Sequence, residues 1–375
     1  MELLVNFWYA HPVGHAVEAL RYCLGYHAGD EELEISLLLN GATATELGSC
    51  CPFIRETYAV DYVDFLGRMG DPDAALRPVP RVWDYVLDDQ RSRQPDQLEL
   101  APGVRAYYQA AHRHFRARVC HGTAGSEPPA YVPNQRLELE LPGELRERAR
   151  AEIGKAPVRI ALMPAGSSEP ARYPSAASWE LIVRALAADL PGALFCFVGK
   201  LERDGRTATS ATRADLDRIA AAAPRAVSAL DLPLLEQLAY VERCSLFLSP
   251  HTGFGTAALA VGTPWLALSG GPWHEWLFNG VPFHSVIPDT RRYPAFTQFA
   301  PQPDPVEDDG PRTPSMSRAR IEEDLPELVD AARRLAEGRL TYEEALRAYF
   351  PRLLAAYGGD ASRIFSFDSV HRAYI

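Results

Sequence analysis

Residues 249–256 read Ser-Pro-His-Thr-Gly-Phe-Gly-Thr, and hydroxyls, glycines and a histidine at this density suit an anion. The apolar run Leu246-Phe247-Leu248 precedes this turn, and a small-residue run, Thr256–Val261, closed by Gly262 and Pro264, follows it. The pattern predicts a buried strand, a turn, and a short helix starting near Thr252. Such a helix aims unpaired N–H groups and the positive end of its dipole at the turn. Gly253 and Gly255 would let an anion approach the backbone, and Thr252 and Thr256 offer hydroxyl donors. A phosphate or diphosphate is the expected guest; the plainer alternative is an ordinary helix start in an α/β domain.

Three other turns carry compatible groups. After the strand Leu3–Phe7, a Gly- and Pro-punctuated loop brings His11, His15 and Glu18 together at the start of a helix. An imidazole titrates near neutrality, so His15 is a candidate general base, or else a surface histidine capping the helix. The loop Pro164–Pro174, after a strand at Val158–Met163, holds Ser167 and Arg172, and an arginine beside a Ser-rich turn can grip a phosphate through its forked donors. Glu202, just past the strand Leu194–Val198, is the kind of strand-end carboxylate that accepts from ribose hydroxyls. His112 and His114, two apart on a helix expected over Arg105–Val119, point in different directions and read as solvated rather than metal-binding.

These turns must be held by alternating strands and helices, which is the pattern of a parallel α/β sheet. At 375 residues the chain is expected to form two domains, and 47% hydrophobic with 23% charged residues describes a globular protein with real cores. A net charge of −11 argues against nucleic acid or an anionic membrane as partner. No run of 18 apolar residues and no basic leader is present, so no integral membrane segment and a cytoplasmic location are expected. The six cysteines lack CxxC spacing and read as buried thiols. The proline-rich, acidic stretch 288–320 reads as a long polar loop, a lid or an insertion, and helical periodicity returns from Ile321 to Ala356.

The order His251-Thr252-Gly253, Ala257-Ala258-Leu259-Ala260-Val261-Gly262, Thr263-Pro264, Gly271-Pro272 resembles the heptosyltransferase-type glycosyltransferases, glycosyltransferase family nine. The resemblance is clear over 158–272, collinear but weak over residues 3–20, and absent over 288–375. It implies a GT-B fold: two Rossmann-like domains with parallel sheets facing an inter-domain cleft. The expected parts are an acceptor domain at 1–140, a nucleotide-sugar domain at 141–340, and a tail at 341–375 packing back on the first domain. Carried over by position, Thr252, Gly253 and Phe254 would hold the diphosphate, with Ser167 and Arg172 as further phosphate ligands. Glu202 would take the ribose and Leu232 would pack on the base. His15 stands where the family has its catalytic aspartate after a glycine, here Gly14. Two departures flank the diphosphate: His251 replaces the family's aspartate and Thr256 its histidine, which implies a donor other than ADP-heptose. Trp273-His274-Glu275-Trp276 is also unlike the family's loop.

The resulting expectation is an inverting, metal-independent glycosyltransferase with no cofactor. It would move a heptose or hexose from a nucleoside-diphosphate sugar to a small-molecule or glycan acceptor, with His15 as base and His11 and Glu18 at the acceptor. The alternatives are a catalytically inactive nucleotide-sugar-binding or partner-activating protein, and a nucleotide-sugar epimerase or hydrolase.

Overall fold

A computed structural model describes residues 1–9, 12–62, 69–95, 98, 102–121, 129–202, 206–272, 278–297 and 301–375. The chain divides into two compact units, Met1–Glu140 and Leu141–Ile375. Among the described residues no helix is long and apolar enough to cross a membrane.

The first unit runs β1 (Glu2–Phe7), α1 (Val13–Gly29), β2 (Glu34–Asn40), β3 (Ile54–Val60), α2 (Pro72–Ala75), β4 (Val82–Asp88), α3 (Pro102–His114) and β5 (Arg116–His121). Its five strands are all parallel in the order β3-β2-β1-β4-β5. β1 and β2 are buried along nearly their whole length, which is why they read as continuous apolar runs. β5 corrects the helix expected over Arg105–Val119: α3 ends at His114 and the chain re-enters the sheet beside β4. Arg116 and Arg118 interrupt the apolar run that would have marked this edge strand.

Beneath the β1–α1 connection lies an aromatic cluster. Trp8 stacks on Tyr107 at 4.5 Å and on Tyr62 at 4.8 Å, and its indole N–H donates to the Val60 carbonyl at 2.8 Å. Such pairs add about 0.5–1.5 kcal/mol each beyond their buried area, enough to fix where the loop leaves the strand.

The second unit runs α4 (Gly143–Ile153), β6 (Arg159–Leu162), α5 (Ala176–Asp189), β7 (Leu194–Phe197), α6 (Arg213–Ala222), β8 (Ala226–Ser228), α7 (Leu234–Glu242), β9 (Leu246–Pro250), α8 (Gly253–Ala260), β10 (Trp265–Leu268) and β11 (Phe283–Val286). A short hairpin, β12 (Val306–Glu307) and β13 (Pro311–Arg312), precedes α9 (Arg318–Ala336) and α10 (Tyr342–Ala356). The six-stranded parallel sheet has the order β11-β10-β9-β6-β7-β8. In both units, therefore, the first strand lies beside the fourth. This is the switch point of a doubly wound sheet, where ligands bind at the carboxyl ends of the strands.

The helical stretch expected over Ile321 to Ala356 is two helices, parted at Gly338, whose φ of +65° no helix accommodates. α10 brings Tyr349 and Phe350 against Phe278, and Tyr349 also packs on Phe283 of β11. Glu327 of α9 ties these elements together, pairing with His284 at 2.8 Å and with both Nη atoms of Arg352 at 2.6 and 3.2 Å. The described cysteines 23, 50, 51, 196 and 244 are buried thiols.

One glycine explains how α8 docks. A Cβ on Gly255 would sit 2.3 Å from the Trp265 indole, which in turn donates to Ser249 Oγ at 3.1 Å. The absent side chain lets the helix lie against β10; it is a packing requirement, where an anion's approach had been expected. Replacing a helical glycine by alanine ordinarily gains about 0.5–1 kcal/mol, but overpacking costs about 1–3 kcal/mol. Gly255→Ala is accordingly expected to destabilise, read as a lower urea midpoint.

Burial alone would raise the Glu327 carboxyl, but its bonds to His284 and Arg352 hold it at about 2, down from 4.5. A depressed carboxylate stabilises above its ordinary value and loses that contribution as pH falls toward the folded value. Between pH 4.5 and 2 the urea midpoint should fall more steeply in the wild type than in Glu327→Gln.

Candidate functional site

The first unit's switch point holds a buried charge cluster. Arg91, in the short turn after β4, donates through Nη1 to both oxygens of Asp89 at 3.0 and 2.8 Å, and through Nη2 to Glu18 Oε2 at 2.7 Å. Asp89 is 1% and Glu18 7% exposed, so the guanidinium serves two carboxylates almost entirely out of water. Burial would raise Glu18, yet Arg91 and His15 outweigh it and hold the carboxyl at about 2. Asp89 is moved the other way, its burial exceeding what Arg91 returns.

His15 lies at the edge of this cluster, with Nδ1 3.0 Å from Glu18 Oε2 and 3.1 Å from Arg91 Nη2. Its ring meets Tyr9 edge-on, and its side chain is 29% exposed. With the proton on Nδ1 it donates to Glu18, leaving the Nε2 lone pair as a base; in the other tautomer Nδ1 accepts from Arg91. Glu18, expected at an acceptor, is thus engaged with Arg91 and His15. His11 lies outside the described residues. Asp89 and Arg91 were not anticipated; the signal was the acidic pair Asp88-Asp89 closing an apolar strand.

A second polar chain borders the cluster. Tyr107 donates to Asn6 Oδ1 at 2.6 Å, Asn6 Nδ2 donates to Asp88 Oδ1 at 2.7 Å, and His112 Nε2 lies 2.7 Å from Asp88 Oδ2. His114 is buried, with Nε2 2.9 Å from the Val79 carbonyl. The solvated reading holds for His112, which is exposed while paired with Asp88, and is corrected for His114, which belongs to the core.

In the second unit the loops after β6 and β9 meet. The 164–174 loop is pinned by Trp179, which donates to the Pro164 carbonyl at 3.0 Å, and by Thr209, which donates to Ala165 at 2.8 Å. Gly166 brings this loop against the β9–α8 turn: a Cβ there would stand 2.7 Å from Tyr173 Oη and 3.1 Å from Thr252 Cγ2. Thr252 is the N-terminal flank of α8, but its hydroxyl makes no capping bond and is buried with no partner. Gly253 opens the helix.

Beside this junction is a cavity of about 200 Å³. Its lining includes Ser168, Arg172, His251, Phe296, Thr313 and Ser315. Arg172 Nε is buried without a partner, and the nearest carboxylate, the exposed Glu169, is 3.8 Å from Nη2. The guanidinium carbon lies 3.5 Å from the centre of the Phe296 ring. His251 stacks on Trp265 with ring centres 5.6 Å apart. A cation and unpaired donors beside a small cavity are the groups an anion would engage.

Of the other expected residues, Ser167 is exposed, and it is Ser168 that lines the cavity. Thr256 does not offer its hydroxyl, which donates to the Gly253 carbonyl at 2.6 Å. Phe254 is buried against Phe247, so only its backbone belongs to the turn. The Glu202 side chain is exposed and Leu232 is half-buried, and neither lines the cavity. Asp231 organises their neighbourhood, accepting from the N–H groups of Leu201 at 2.7 Å and Glu202 at 3.0 Å. Trp273–Trp276 lie outside the described residues. Phe296, Thr313 and Ser315 were missed, since nothing local in a proline-rich stretch marks them.

No protein-family model and no curated protein matches the chain. Solved structures do. The glycosyl transferase family 9 protein from Veillonella parvula DSM 2008 is 13% identical, with 88% of this chain and 97% of that chain covered at a TM-score of 0.55. E. coli heptosyltransferase WaaC with ADP is 10% identical, with 88% and 100% covered at 0.55. E. coli ADP-heptose lps heptosyltransferase II is 14% identical, with 88% and 98% covered at 0.52. At these identities the likeness is one of fold, and it spans nearly the full length of each of those proteins.

The charge cluster makes its own prediction. Arg91→Met would leave Glu18 and Asp89 buried without their cation, at a cost of about 3–5 kcal/mol. The thermal unfolding of the first unit should shift down accordingly.

Proposed function

We propose that the protein is a glycosyltransferase that moves a sugar from a nucleoside-diphosphate sugar to a small-molecule or glycan acceptor. One observation carries this reading: the anion cavity at the second unit's switch point, with Arg172 and Thr252 holding unpaired donors beside the start of α8. The fold shared with nucleotide-sugar enzymes supports it.

Transfer has two demands, a proton acceptor for the attacking hydroxyl and a counter-charge for the departing diphosphate. The first unit carries the candidate for the first, His15 through Nε2, its Nδ1 proton held by Glu18. As His15 takes up the acceptor's proton, the ionised Glu18 stabilises the imidazolium. The second unit carries the candidates for the second: Arg172, the Thr252 hydroxyl, and the backbone N–H groups that open α8 at Gly253. In this reading these groups do the work of a metal ion, and the sugar inverts at its anomeric carbon, as the family resemblance implies. Glu202 at the ribose, Leu232 at the base and His11 at the acceptor complete the proposal. His251 stands at the cavity where the resembled family has an aspartate, which favours a donor other than ADP-heptose.

Calorimetric titration with ADP, GDP, UDP and dTDP, without added metal, tests the donor site. Selective micromolar binding of one is expected, and binding of none overturns the reading. His15→Ala should lower turnover at least about 100-fold with nucleotide affinity unchanged, since general-base catalysis contributes about 10²–10⁴-fold. Unchanged turnover would move the base elsewhere, and nucleotide binding with no transfer at all would favour a non-catalytic binding protein.

A further inference from the structure

We propose that Phe296, Thr313 and Ser315 of the proline-rich stretch form a wall of the donor site, and that Ser315 is one of its diphosphate ligands. This rests on the donor-binding reading above and extends it to a stretch of chain where the resemblance is silent.

Ser315 is 1% exposed and lines the same cavity as Arg172 and His251. Its backbone N–H is satisfied by the Pro294 carbonyl at 3.2 Å, but its hydroxyl has no partner. A buried hydroxyl left unpaired is costly, and a second buried donor in the cavity wall, Arg172 Nε, is in the same position. Phe296 from the same segment stacks on the Arg172 guanidinium, an arrangement that leaves the in-plane N–H donors for a third party. Among the described residues Arg172 is the one charged group of the lining, and the carboxylate beside it, that of the exposed Glu169, stands 3.8 Å from Nη2 and outside the lining. Water can fill such a space but brings no charge to offset the cation; an oxyanion satisfies the hydroxyl, the Nε and the charge together. At about 200 Å³ the cavity is also smaller than the roughly 300–1,000 Å³ that encloses a whole drug-sized ligand, which suits the charged centre of a donor and not its nucleoside.

The segment is anchored, which a loose insertion would not be. Asp308 accepts from Ser175 Oγ and Ser178 Oγ, both at 3.1 Å, and from the Arg318 N–H at 2.8 Å. Asp309 pairs with Arg218 at 2.6 Å. The Thr313 N–H donates to the Ala171 carbonyl at 2.8 Å, stitching the segment to the residue before Arg172. Ser315 is therefore placed by backbone on both sides in the wall of the cavity, and a turn of its side chain is all that brings the hydroxyl to a ligand.

The test is calorimetric titration of wild type and Ser315→Ala with the preferred nucleoside diphosphate and with inorganic pyrophosphate, alongside thermal melts. Ser315→Ala should bind both about tenfold more weakly, because a hydrogen bond to a charged group is lost, with its melting temperature unchanged or raised, because the unpaired hydroxyl is gone. Phe296→Leu, which removes a half-buried ring and keeps Ser315, should weaken both as well, and decides the matter if Ser315→Ala does not fold. Wild-type affinity for both probes in the variants overturns the proposal. The donor reading fails separately: if wild type binds no nucleotide but binds pyrophosphate through Ser315, the anion site stands without it, and if wild type binds neither, both fall.

Discussion

The constraint on which the rest depends is topological. A parallel sheet wound in both directions from its centre must place its first strand beside its fourth, and the chain leaving those two strands departs toward opposite faces. The polar groups those loops carry gather over the gap between the two strands, where they must be satisfied by one another or by something else. The two units meet this demand differently. Between β1 and β4 the first unit answers with its own side chains, an arginine shared by two buried carboxylates, leaving a histidine at the edge. Between β6 and β9 the second unit leaves the demand open, with donors buried around a cavity and, among the described residues, no carboxylate in its lining.

This difference separates the kinds of work the two switch points can do. A self-satisfied ionic cluster is rigid and expensive to disturb, and is suited to holding an imidazole in one orientation. An unsatisfied cluster is suited to binding, because the ligand repairs what folding left incomplete. The aromatic stack under Trp8 and the tether at Asp308 are the devices that keep each arrangement from relaxing.

Much of the architecture was legible because buried parallel strands announce themselves as apolar runs closed by Gly and Pro. Leu3–Phe7, Val158–Met163 and Leu246–Leu248 are of this kind, and each lies where a strand was expected. Three of the four edge strands were not legible: β5 is broken by arginines, and β8 and β11 are only three and four residues long. For the site, local motif reading reached the β9–α8 turn, Arg172 and His15, because each follows a strand directly. It overreached within the turn, since hydroxyls and glycines look alike whether they face a ligand or the protein; Thr256 bonds its own helix and Phe254 fills the core. Phe296 and Ser315 come to the cavity from more than a hundred residues beyond Arg172, a proximity that only the folded chain creates.

The contact between Gly255 and Trp265 bears on how this protein can drift. The glycine has no side chain because the indole occupies its place, and the indole is oriented by Ser249 at the end of the neighbouring strand. Its ring also supports His251, one of the residues at the mouth of the cavity. A larger residue at 255 is viable only alongside a smaller one at 265, and that exchange would take the floor from beneath the histidine. The two positions are therefore coupled, and a paired change would reach the cavity and whatever it binds, although neither residue lines it.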